Sequence, residues 1–502
     1  MLAASFSLDP NFAIAPVNRR TFGSFVEHMG RCVYTGIYEP GHPTADADGF
    51  RQDVLALTRE LGVSLVRYPG GNFVSGYRWE DGIGPAGERP VRRDLAWHSL
   101  ETNQVGIHEF ARWAEKAGVE IMYAMNLGTR GVQEAMDLHE YLNHPTDTLL
   151  AQLRQKNGAA DPFGITMFCL GNEMDGPWQT GHKTAREYGR LAVETARVLR
   201  KAEPGLELVA CGSSHSAMPT FGAWEAEVLE LTYDEVDYIS AHAYYEVIEG
   251  DVASFLASAV DMDNFVDSVV ATADGVGARL KSSKRIQISF DEWNVWYQRD
   301  FEAHPKTEWD VAPRVIEDRY NVVDAVVVGN LLISLLRHSD RVTAACQAQL
   351  VNVIAPILTE PGGPAWRQTI FHPFALTSRL ARGTVLRVEV RSPTYDTARF
   401  GAVPVLDAVA THDEETGDVT VFVVNRHLSD HLDLEVTVRG FGAGLEVKEA
   451  WTLADDDLMA TNTAENPDRV VPRPAAPATV TDGVLHTSLP PVSWTAIRLG
   501  RA

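Results

Sequence analysis

A chain of 502 residues is longer than one ordinary hydrophobic core requires, and its 45% apolar content can fill two or more domains. The 68 acidic residues against 44 basic ones give a formal charge of −24, which argues against nucleic acids and other polyanions as partners. The first residues lack the basic and apolar stretches of a signal peptide, and no segment is apolar enough to cross a membrane. We therefore expect a cytoplasmic protein.

Between about residues 21 and 353, short apolar runs alternate with helical patterns, as they do in a series of βα units. Most runs are too continuously apolar for a sheet with one face in water, so both faces should be covered. Apolar residues at helical spacing predict helices at 49–61, 184–201 and 317–337. The eight predicted strands are 21–26, 64–67, 120–125, 165–170, 206–211, 238–241, 285–290 and 344–350.

Eight strands with intervening helices predict an α/β fold, a (β/α)8 barrel, which we place at residues 16–375. An open, doubly wound sheet is the alternative. No Gly-x-Gly-x-x-Gly directly follows the first predicted strand, and no Gly-x-x-x-x-Gly-Lys occurs anywhere, which argues against that alternative.

After about residue 380 the helical period gives way to alternating apolar and polar residues, which predicts a jelly-roll-like antiparallel β-sandwich. A hairpin turn is predicted at 413–418. The N-terminal run 3–8 also alternates, and we predict that it pairs with this sandwich, which would then comprise residues 1–15 and 376–502. The predicted sandwich strands are 384–390, 419–425, 432–439, 445–452, 484–489 and 494–499.

Polar side chains follow every predicted barrel strand, at the end where barrel enzymes carry their catalytic groups. We therefore expect these side chains to share one rim. In chain order they are Glu27 and His28; Arg67 and Asn72; Asn126; Asn172 and Glu173; Ser213, Ser214 and His215; His242, Tyr244 and Tyr245; Asp291, Glu292 and Asn294; Gln349 and Asn352.

Glu173 and Glu292 each follow an apolar, β-branched run, so each should stand at the exit of a buried strand. A pair of carboxyl groups is what cleavage of a glycosidic bond requires, because one protonates the leaving oxygen and the other attacks carbon or activates water. Asp175 and Asp291 could compete for these roles. Since side chains alternate along a strand, Asp291 should point away from Glu292.

Other residues have plainer interpretations beside the functional ones. Arg67 is most simply a charge partner for one of the glutamates, and His242 could contact a substrate or only support a residue that does. Trp97, Trp178 and Trp296 could cover the apolar face of a sugar ring, although Trp293 and Trp296 could simply be packing. No His-Glu-x-x-His and no Gly-x-Ser-x-Gly occurs, so we predict neither a metal site nor a serine hydrolase, and no cofactor.

Four motifs resemble those of glycoside hydrolase family 51, the intracellular α-L-arabinofuranosidases. The resemblance covers nearly the whole chain, and the four motifs together are far more specific than any one of them. They are Phe25-Val26-Glu27-His28, Arg67-Tyr68-Pro69-Gly70-Gly71-Asn72-Phe73, Gly171-Asn172-Glu173-Met174-Asp175-Gly176-Pro177-Trp178 and Asp291-Glu292-Trp293-Asn294-Val295-Trp296-Tyr297.

This resemblance implies a retaining mechanism in which Glu173 is the general acid/base and Glu292 the nucleophile, oriented by Tyr244. It implies release of terminal arabinofuranose from arabinan, arabinoxylan and their oligosaccharides by a protein that is a homo-oligomer, commonly a hexamer. An endo-acting β-glucanase or xylanase and a non-catalytic carbohydrate-binding protein are the alternatives. The implied contacts to the sugar are Glu27, Asn72, Asn172, Tyr244 and Gln349.

Overall fold

A computed structural model describes residues 2–303, 308–442 and 444–501 of the chain, which begins with strands β1 (Leu2–Leu8) and β2 (Ala13–Pro16). The elements that follow, up to residue 303, are β3 (Gly23–Phe25), α1 (Gln52–Leu61), β4 (Leu65–Tyr68), β5 (Arg92–Asp94), β6 (Ser99–Glu101), α2 (Ile107–Ala117), β7 (Glu120–Ala124), α3 (Val132–Asn143), α4 (Leu149–Lys156), β8 (Met167–Leu170), α5 (Ala185–Ala202), β9 (Glu207–Ala210), α6 (Ala223–Thr232), β10 (Tyr238–Tyr245), α7 (Val252–Leu256), α8 (Ser258–Leu280), β11 (Gln287–Val295) and α9 (Gln298–Ala303). From residue 308 to 380 they are β12 (Asp310–Val311), α10 (Val322–Arg337), β13 (Val342–Gln347), β14 (Ile357–Thr359), β15 (Ala365–Arg367) and α11 (Phe371–Leu380).

Eight of these strands close into a parallel barrel in the order β3, β4, β7, β8, β9, β10, β11, β13. The predicted (β/α)8 barrel is thus confirmed. Short strands and 3-10 helices lie in its loops; the 3-10 helices are Arg19–Phe22, Asn72–Gly76, Trp79–Gly82 and Ala86–Glu88. Because all eight strands run the same way, their C-terminal ends meet at one rim.

Two barrel strands are longer than predicted. β10 continues to Tyr245 and β11 to Val295, well past the predicted ends at 241 and 290, and the two strands remain paired up to Tyr245 and Val295. Conversely, the predicted helix 317–337 begins only after Asn321, whose side chain accepts hydrogen bonds from the backbone N–H groups of Val323 and Asp324 and so caps α10.

The rest of the chain forms two further sheets. Their strands from residue 384 onward are β16 (Thr384–Leu386), β17 (Thr394–Thr397), β18 (Gly401–Pro404), β19 (Leu406–Asp413), β20 (Asp418–Asn425), β21 (Leu432–Val438), β22 (Leu445–Leu453), β23 (Arg473–Pro474), β24 (Thr479–Thr481), β25 (Val484–Leu489) and β26 (Ser493–Arg501). One sheet has the order β1, β21, β25, β24, and the other β2, β16, β19, β20, β26, β22, β23. β17 and β18 form a separate hairpin.

The N-terminal strand joins the sandwich as predicted, although it runs parallel to β21 rather than antiparallel. The hairpin predicted at 413–418 connects β19 to β20, but β19 itself was not among the predicted strands. The division of the chain at residues 15/16 and 375/376 stays a prediction, since β2 and α11 extend across these positions.

The seven-stranded sheet is buried on both faces, and β20 shows how the alternation of side chains achieves this. Val421 and Val423 lie in the sandwich core, whereas Phe422 and Val424 lie in the core of the barrel. The sheet therefore fixes the sandwich against the barrel. Over the part of the chain that the structure describes, no helix is both long and apolar enough to span a membrane.

Candidate active site

A cavity of about 590 Å³ opens at the C-terminal end of the barrel strands. Its walls come from loops after several barrel strands and from one residue outside the barrel. The residues that line it include Glu27, Asn72, Trp97, Glu173, Trp178, His215, Ser216, Tyr244, Tyr245, Asp261, Glu292, Trp296, Gln349 and Arg399.

Glu173 stands just beyond β8 and is 9% exposed. Its backbone has φ of 44°, in the left-handed region that non-glycine residues rarely adopt, a feature found at functional sites. Its carboxyl accepts hydrogen bonds from Trp178 Nε1 (2.7 Å) and His242 Nδ1 (2.9 Å). Burial raises the pKa of Glu173, as does the nearby charge of Glu292, while the hydrogen bond from His242 works in the opposite direction.

Glu292 does not follow β11, as the sequence suggested, but lies within it. Arg67 Nη1 donates to its Oε1 at 2.6 Å, and the Tyr244 hydroxyl donates to its Oε2 at 2.8 Å. Arg67 also donates to Asn172 Oδ1 at 2.7 Å. One buried guanidinium of β4 thus connects the loop after β8 to β11, and it holds the Glu292 carboxylate in position.

Asp291 and Glu292 do not face opposite sides, which corrects the expectation from simple alternation. Asp291 Oδ1 lies 2.8 Å from His242 Nε2, and Glu292 Oε2 lies 3.7 Å from His242 Nδ1. Both carboxylates are also near Arg67. The register of β11 shifts against β13 between Phe290 and Trp293, an irregularity that breaks the twofold alternation there.

Glu173, His242 and Glu292 form a compact group in which one ligand atom from each lies within 4.8 Å of the others. Among the described residues this group has the spacing of a metal site. Burial by itself lowers the pKa of His242, but Glu292, Asp291 and Glu173 together raise it to about 10. With both ring nitrogens protonated at neutral pH, His242 donates hydrogen bonds rather than a lone pair, so the group fits a carboxyl pair better than a metal.

Four of the predicted sugar-binding side chains form two hydrogen-bonded pairs. Gln349 Nε2 donates to Glu27 Oε2 at 3.2 Å, and Asn172 Nδ2 donates to Asn72 Oδ1 at 3.1 Å. The side chain of Glu27 also accepts from the backbone N–H of Phe73 at 2.9 Å. Burial and the charge of Glu292 raise the pKa of Glu27 to about 8.

The three predicted tryptophans all line the cavity. Trp97 Nε1 donates to Glu27 Oε1 at 2.8 Å, and Trp296 stands edge-on to Tyr244 with ring centres 5.1 Å apart. Trp178 is 49% exposed at the mouth and stacks on His215, with ring centres 6.1 Å apart. Of the predicted catalytic, sugar-binding and supporting residues, nine line the cavity. Arg67, Asn172 and His242 instead form hydrogen bonds to residues that line it, and the individual roles of all twelve remain proposals.

Several polar residues of the site were not predicted, and Gln179 and Arg399 are two of them. Gln179 lies 3.5 Å from Asn172 and also donates a hydrogen bond to Ser75, so it helps to fix the amide of Asn172. Arg399 lines the cavity from the turn between β17 and β18, outside the barrel. Gln179 lies well into the loop after β8 rather than at the end of the strand, and Arg399 lies outside the barrel, so the signal that located the others could not reveal them.

Comparisons with known proteins agree with this geometry. Residues 57–259 match the family model described as alpha-L-arabinofuranosidase 1 domain, and residues 291–493 match the alpha-L-arabinofuranosidase C-terminal domain. An intracellular exo-α-(1→5)-L-arabinofuranosidase of Streptomyces lividans is 60% identical over 99% of this chain and 75% of its own length. An exo-α-(1→6)-L-arabinofuranosidase of Bifidobacterium longum is 56% identical over 98% of this chain and 96% of its own. The solved structure of AbfB, a family 51 α-L-arabinofuranosidase from Bifidobacterium longum, superposes with a TM-score of 0.95 at 48% identity, covering 99% of each chain.

Proposed function

Because the chain belongs to the α-L-arabinofuranosidases of glycoside hydrolase family 51, we propose that it releases terminal, non-reducing arabinofuranose by a retaining double displacement. The observation that carries the mechanism is the carboxyl pair, since an oxygen of Glu173 and an oxygen of Glu292 lie within 4.8 Å. Retaining glycosidases hold their carboxyl groups about 5–5.5 Å apart, whereas inverting enzymes need about 6.5–9.5 Å to admit a water molecule.

In the first displacement Glu173 donates its proton to the glycosidic oxygen while a Glu292 oxygen attacks the anomeric carbon. The carbon–oxygen bond to the leaving sugar breaks as the bond to Glu292 forms. Burial and the Glu292 charge raise the pKa of Glu173, which keeps the proton available for this step. Arg67 and Tyr244 orient the attacking carboxylate through their hydrogen bonds.

In the second displacement a water molecule attacks the anomeric carbon and releases Glu292 as a carboxylate. The ester at Glu292 is uncharged, so the repulsion that raised the pKa of Glu173 is gone while the His242 hydrogen bond remains. The pKa of Glu173 should therefore fall, and Glu173 can take the proton from the attacking water. One group then serves as acid and as base.

We propose that the arabinofuranose ring lies among the side chains on the Glu27 side of the cavity. Amide and carboxyl groups there can both donate to and accept from sugar hydroxyls. Trp97 and Trp296 flank this position and offer apolar ring surface. The side chains proposed to bind the sugar are Glu27, Asn72, Asn172, Tyr244 and Gln349.

The test is release of p-nitrophenol from p-nitrophenyl α-L-arabinofuranoside. Glu292→Ala should lower turnover by about 10⁴-fold or more, because no covalent intermediate can form. Glu173→Ala should regain turnover in sodium azide, since p-nitrophenolate leaves without a proton and azide attacks the intermediate without a base. Retention predicts α-arabinosyl azide from Glu173→Ala and the β-anomer from Glu292→Ala.

Glu230→Ala, on the exposed side of α6, is the control and should retain wild-type turnover. Near-normal turnover of Glu292→Ala, or exchange of the two azide anomers, would contradict the assignment of roles. Rapid loss of viscosity of a polymeric β-glucan would instead favour endo cleavage.

Location, substrate range and assembly go beyond the family assignment. We propose that the chain acts in the cytoplasm, because the Streptomyces relative is named an intracellular enzyme, and that its substrates are short oligosaccharides derived from arabinan or arabinoxylan. We also propose a hexamer, which sedimentation velocity would test through the mass of the particle. The relatives are named for (1→5) and (1→6) linkages, so linkage preference should depend on the leaving-group side of the cavity.

A further inference from the structure

The two ends of the cavity can be assigned from the position of Glu173. A general acid faces the leaving group, so the leaving sugar should lie on the side of Glu173 that is away from Glu27. Trp178, which donates to Glu173, stacks there on His215. The next residue, Ser216, donates to Asp261 Oδ1 at 3.2 Å, and this places Asp261 on the leaving-group side.

Asp261 is a hydrogen-bond acceptor in this wall of the cavity. It accepts from Ser216 and, at 3.2 Å, from the Tyr245 hydroxyl, and its side chain is partly exposed. These two donors fix the carboxylate but leave lone pairs available, because an ionised carboxylate has about four acceptor positions.

Arg399 lines the same cavity from outside the barrel. It lies in the turn between β17 and β18, and its guanidinium is 5.2 Å from the Phe400 ring centre. Within the described ranges that guanidinium has no hydrogen-bond partner. The cavity is acidic, because its wall includes Glu27, Glu173, Asp261 and Glu292. Arg399 differs from them in being a cation that can donate hydrogen bonds.

The turn that carries Arg399 is anchored to the barrel. The backbone N–H of Arg399 donates to Ser254 Oγ at 3.1 Å, and the Tyr395 hydroxyl donates to the carbonyl of Ala253 at 3.1 Å. Ser254 is itself held by Asp251, through hydrogen bonds of 2.9 and 2.5 Å. The guanidinium therefore extends from a turn that is fixed to α7.

We propose that Arg399, together with Asp261, binds hydroxyl groups of the leaving sugar and so determines which glycosides are cleaved. A guanidinium only donates and a carboxylate only accepts, whereas neighbouring sugar hydroxyls do both, so the pair is complementary to a diol. The inference rests on the proposed arabinofuranosidase activity. It adds that the sandwich supplies a specificity-determining residue to the barrel's cavity.

The experiment compares kcat/KM for two substrates that share the arabinofuranosyl group. α-(1→5)-linked arabinotriose presents hydroxyls to the leaving-group side, whereas p-nitrophenyl α-L-arabinofuranoside presents none. Arg399→Ala should lower kcat/KM for the trisaccharide about tenfold and for the aryl glycoside by less than about threefold. Arg399→Lys keeps the positive charge but lacks the planar set of N–H donors of a guanidinium, so its loss of kcat/KM for the trisaccharide should be intermediate.

Arg391→Ala removes another exposed arginine of the same segment, outside the cavity, and should leave both values unchanged. Equal loss of both substrates in folded Arg399→Ala and Arg399→Lys, or no loss for the trisaccharide, would overturn the inference. So would a wild-type chain that cleaves the aryl glycoside but not arabinotriose. A wild-type chain that releases no p-nitrophenol would instead refute the proposed function, and the inference with it.

Discussion

His242 connects three carboxyl groups, since its ring nitrogens lie 2.9 Å from Glu173, 2.8 Å from Asp291 and 3.7 Å from Glu292. Burial lowers its pKa, but the three acidic neighbours raise it to about 10, so the ring is an imidazolium across the neutral range. Its hydrogen bond and charge lower the pKa of Glu173, whereas burial and Glu292 raise it. His242 therefore limits how strongly Glu173 holds its proton.

Replacing His242 by Gln should move the basic limb of the pH–rate profile to higher pH. The substitution removes the positive charge and the hydrogen bond of His242, which both lower the pKa of Glu173. Burial and the Glu292 charge remain and raise this pKa, so it should increase further. The basic limb of kcat/KM reports that ionisation in the free enzyme and should shift by about one pH unit. Turnover should fall, because a more tightly held proton makes Glu173 a poorer acid at a given pH, and Asp291 loses its partner.

The comparison variant is Trp178→Phe, which removes one neutral donor to Glu173 and should shift the same limb upward by less. Both profiles would be measured with p-nitrophenyl α-L-arabinofuranoside. A shift of the His242→Gln limb to lower pH would show that His242 does not act on Glu173 in this way.

Site residues at the ends of barrel strands could be predicted from the sequence, whereas site residues in long loops or outside the barrel could not. Glu173 and Glu292 stand after apolar runs, so periodicity and position together were sufficient to place them on one rim. Arg399 is different, because its place in the cavity depends on how a hairpin beyond the barrel packs against α7. Gln179 lies in a loop without periodicity, and only its contact with Asn172 reveals it.

The predicted ends of two strands are wrong at the positions of the proposed catalytic and supporting residues. β10 and β11 continue through His242 and Glu292, where polar residues interrupt the apolar pattern on which the prediction relied. A strand is maintained by backbone pairing with its neighbours, and that pairing is indifferent to side-chain polarity. The same logic explains why β1 was predicted well: its alternation is uninterrupted, with Ala4, Phe6 and Leu8 buried.

Phe6→Ala should lower the free energy of unfolding by about 3–5 kcal/mol, the usual cost of truncating a buried phenylalanine. Phe6 is 4% exposed in the sandwich core, and β1 is an edge strand, so its loss also loosens the pairing with β21. Urea unfolding followed by circular dichroism would measure the change. The exposed neighbour Ser7→Ala should stay within about 0.5 kcal/mol of wild type.

Removal of residues 1–10 should lower the melting temperature as well, while aryl glycoside turnover of the folded fraction stays unchanged. Equal melting of the truncated and full-length chains would mean that the parallel pairing of β1 with β21 contributes nothing to stability.

Barrel and sandwich share a core at the contact between α10 and β26. A Cβ built on Gly329 of α10 would lie 2.2 Å from the Trp494 ring, so only glycine permits this approach. In an exposed helix, Gly→Ala raises the free energy of unfolding by about 1 kcal/mol. At Gly329 the added methyl group would overlap the Trp494 ring and force the helix and the sheet apart, which typically lowers the free energy of unfolding by about 1–3 kcal/mol and sometimes by more. We therefore expect Gly329→Ala to lower the melting temperature of the whole protein.

Gly275→Ala is the matched substitution, because a Cβ there would meet nothing within 4 Å and the residue also lies in a helix, α8. It should raise the free energy of unfolding by about 0.5–1 kcal/mol. Thermal melts of the two variants thus have opposite expected signs. A melting temperature of Gly329→Ala above that of wild type would mean that α10 and β26 can move apart without loss of stability.

The same contact includes a buried charge cluster. Asp407 of β19 accepts hydrogen bonds from Arg337 and Asn330 of α10 and from Arg426, the last two at 2.6 Å each. Burial opposes ionisation of Asp407, but the charges of Arg337 and Arg426 lower its pKa to about 2. The barrel and the sandwich therefore meet at a buried aspartate whose ionised form is favoured by both arginines and by Asn330.

Asp407→Asn should destabilise the protein most at neutral pH. The pKa of Asp407 is about 2 in the folded state and near 3.8 when unfolded, so the unfolded chain binds more protons between these values. The stabilisation, about 2 kcal/mol from the pKa difference, is complete above about pH 5 and is lost as pH falls towards 2. Unfolding free energies of wild type and Asp407→Asn should therefore differ most at pH 7 and converge on acidification, whereas the exposed Asp430→Asn should track wild type throughout. A gap between wild type and Asp407→Asn that is independent of pH would mean that the charge of Asp407 does not couple the two domains.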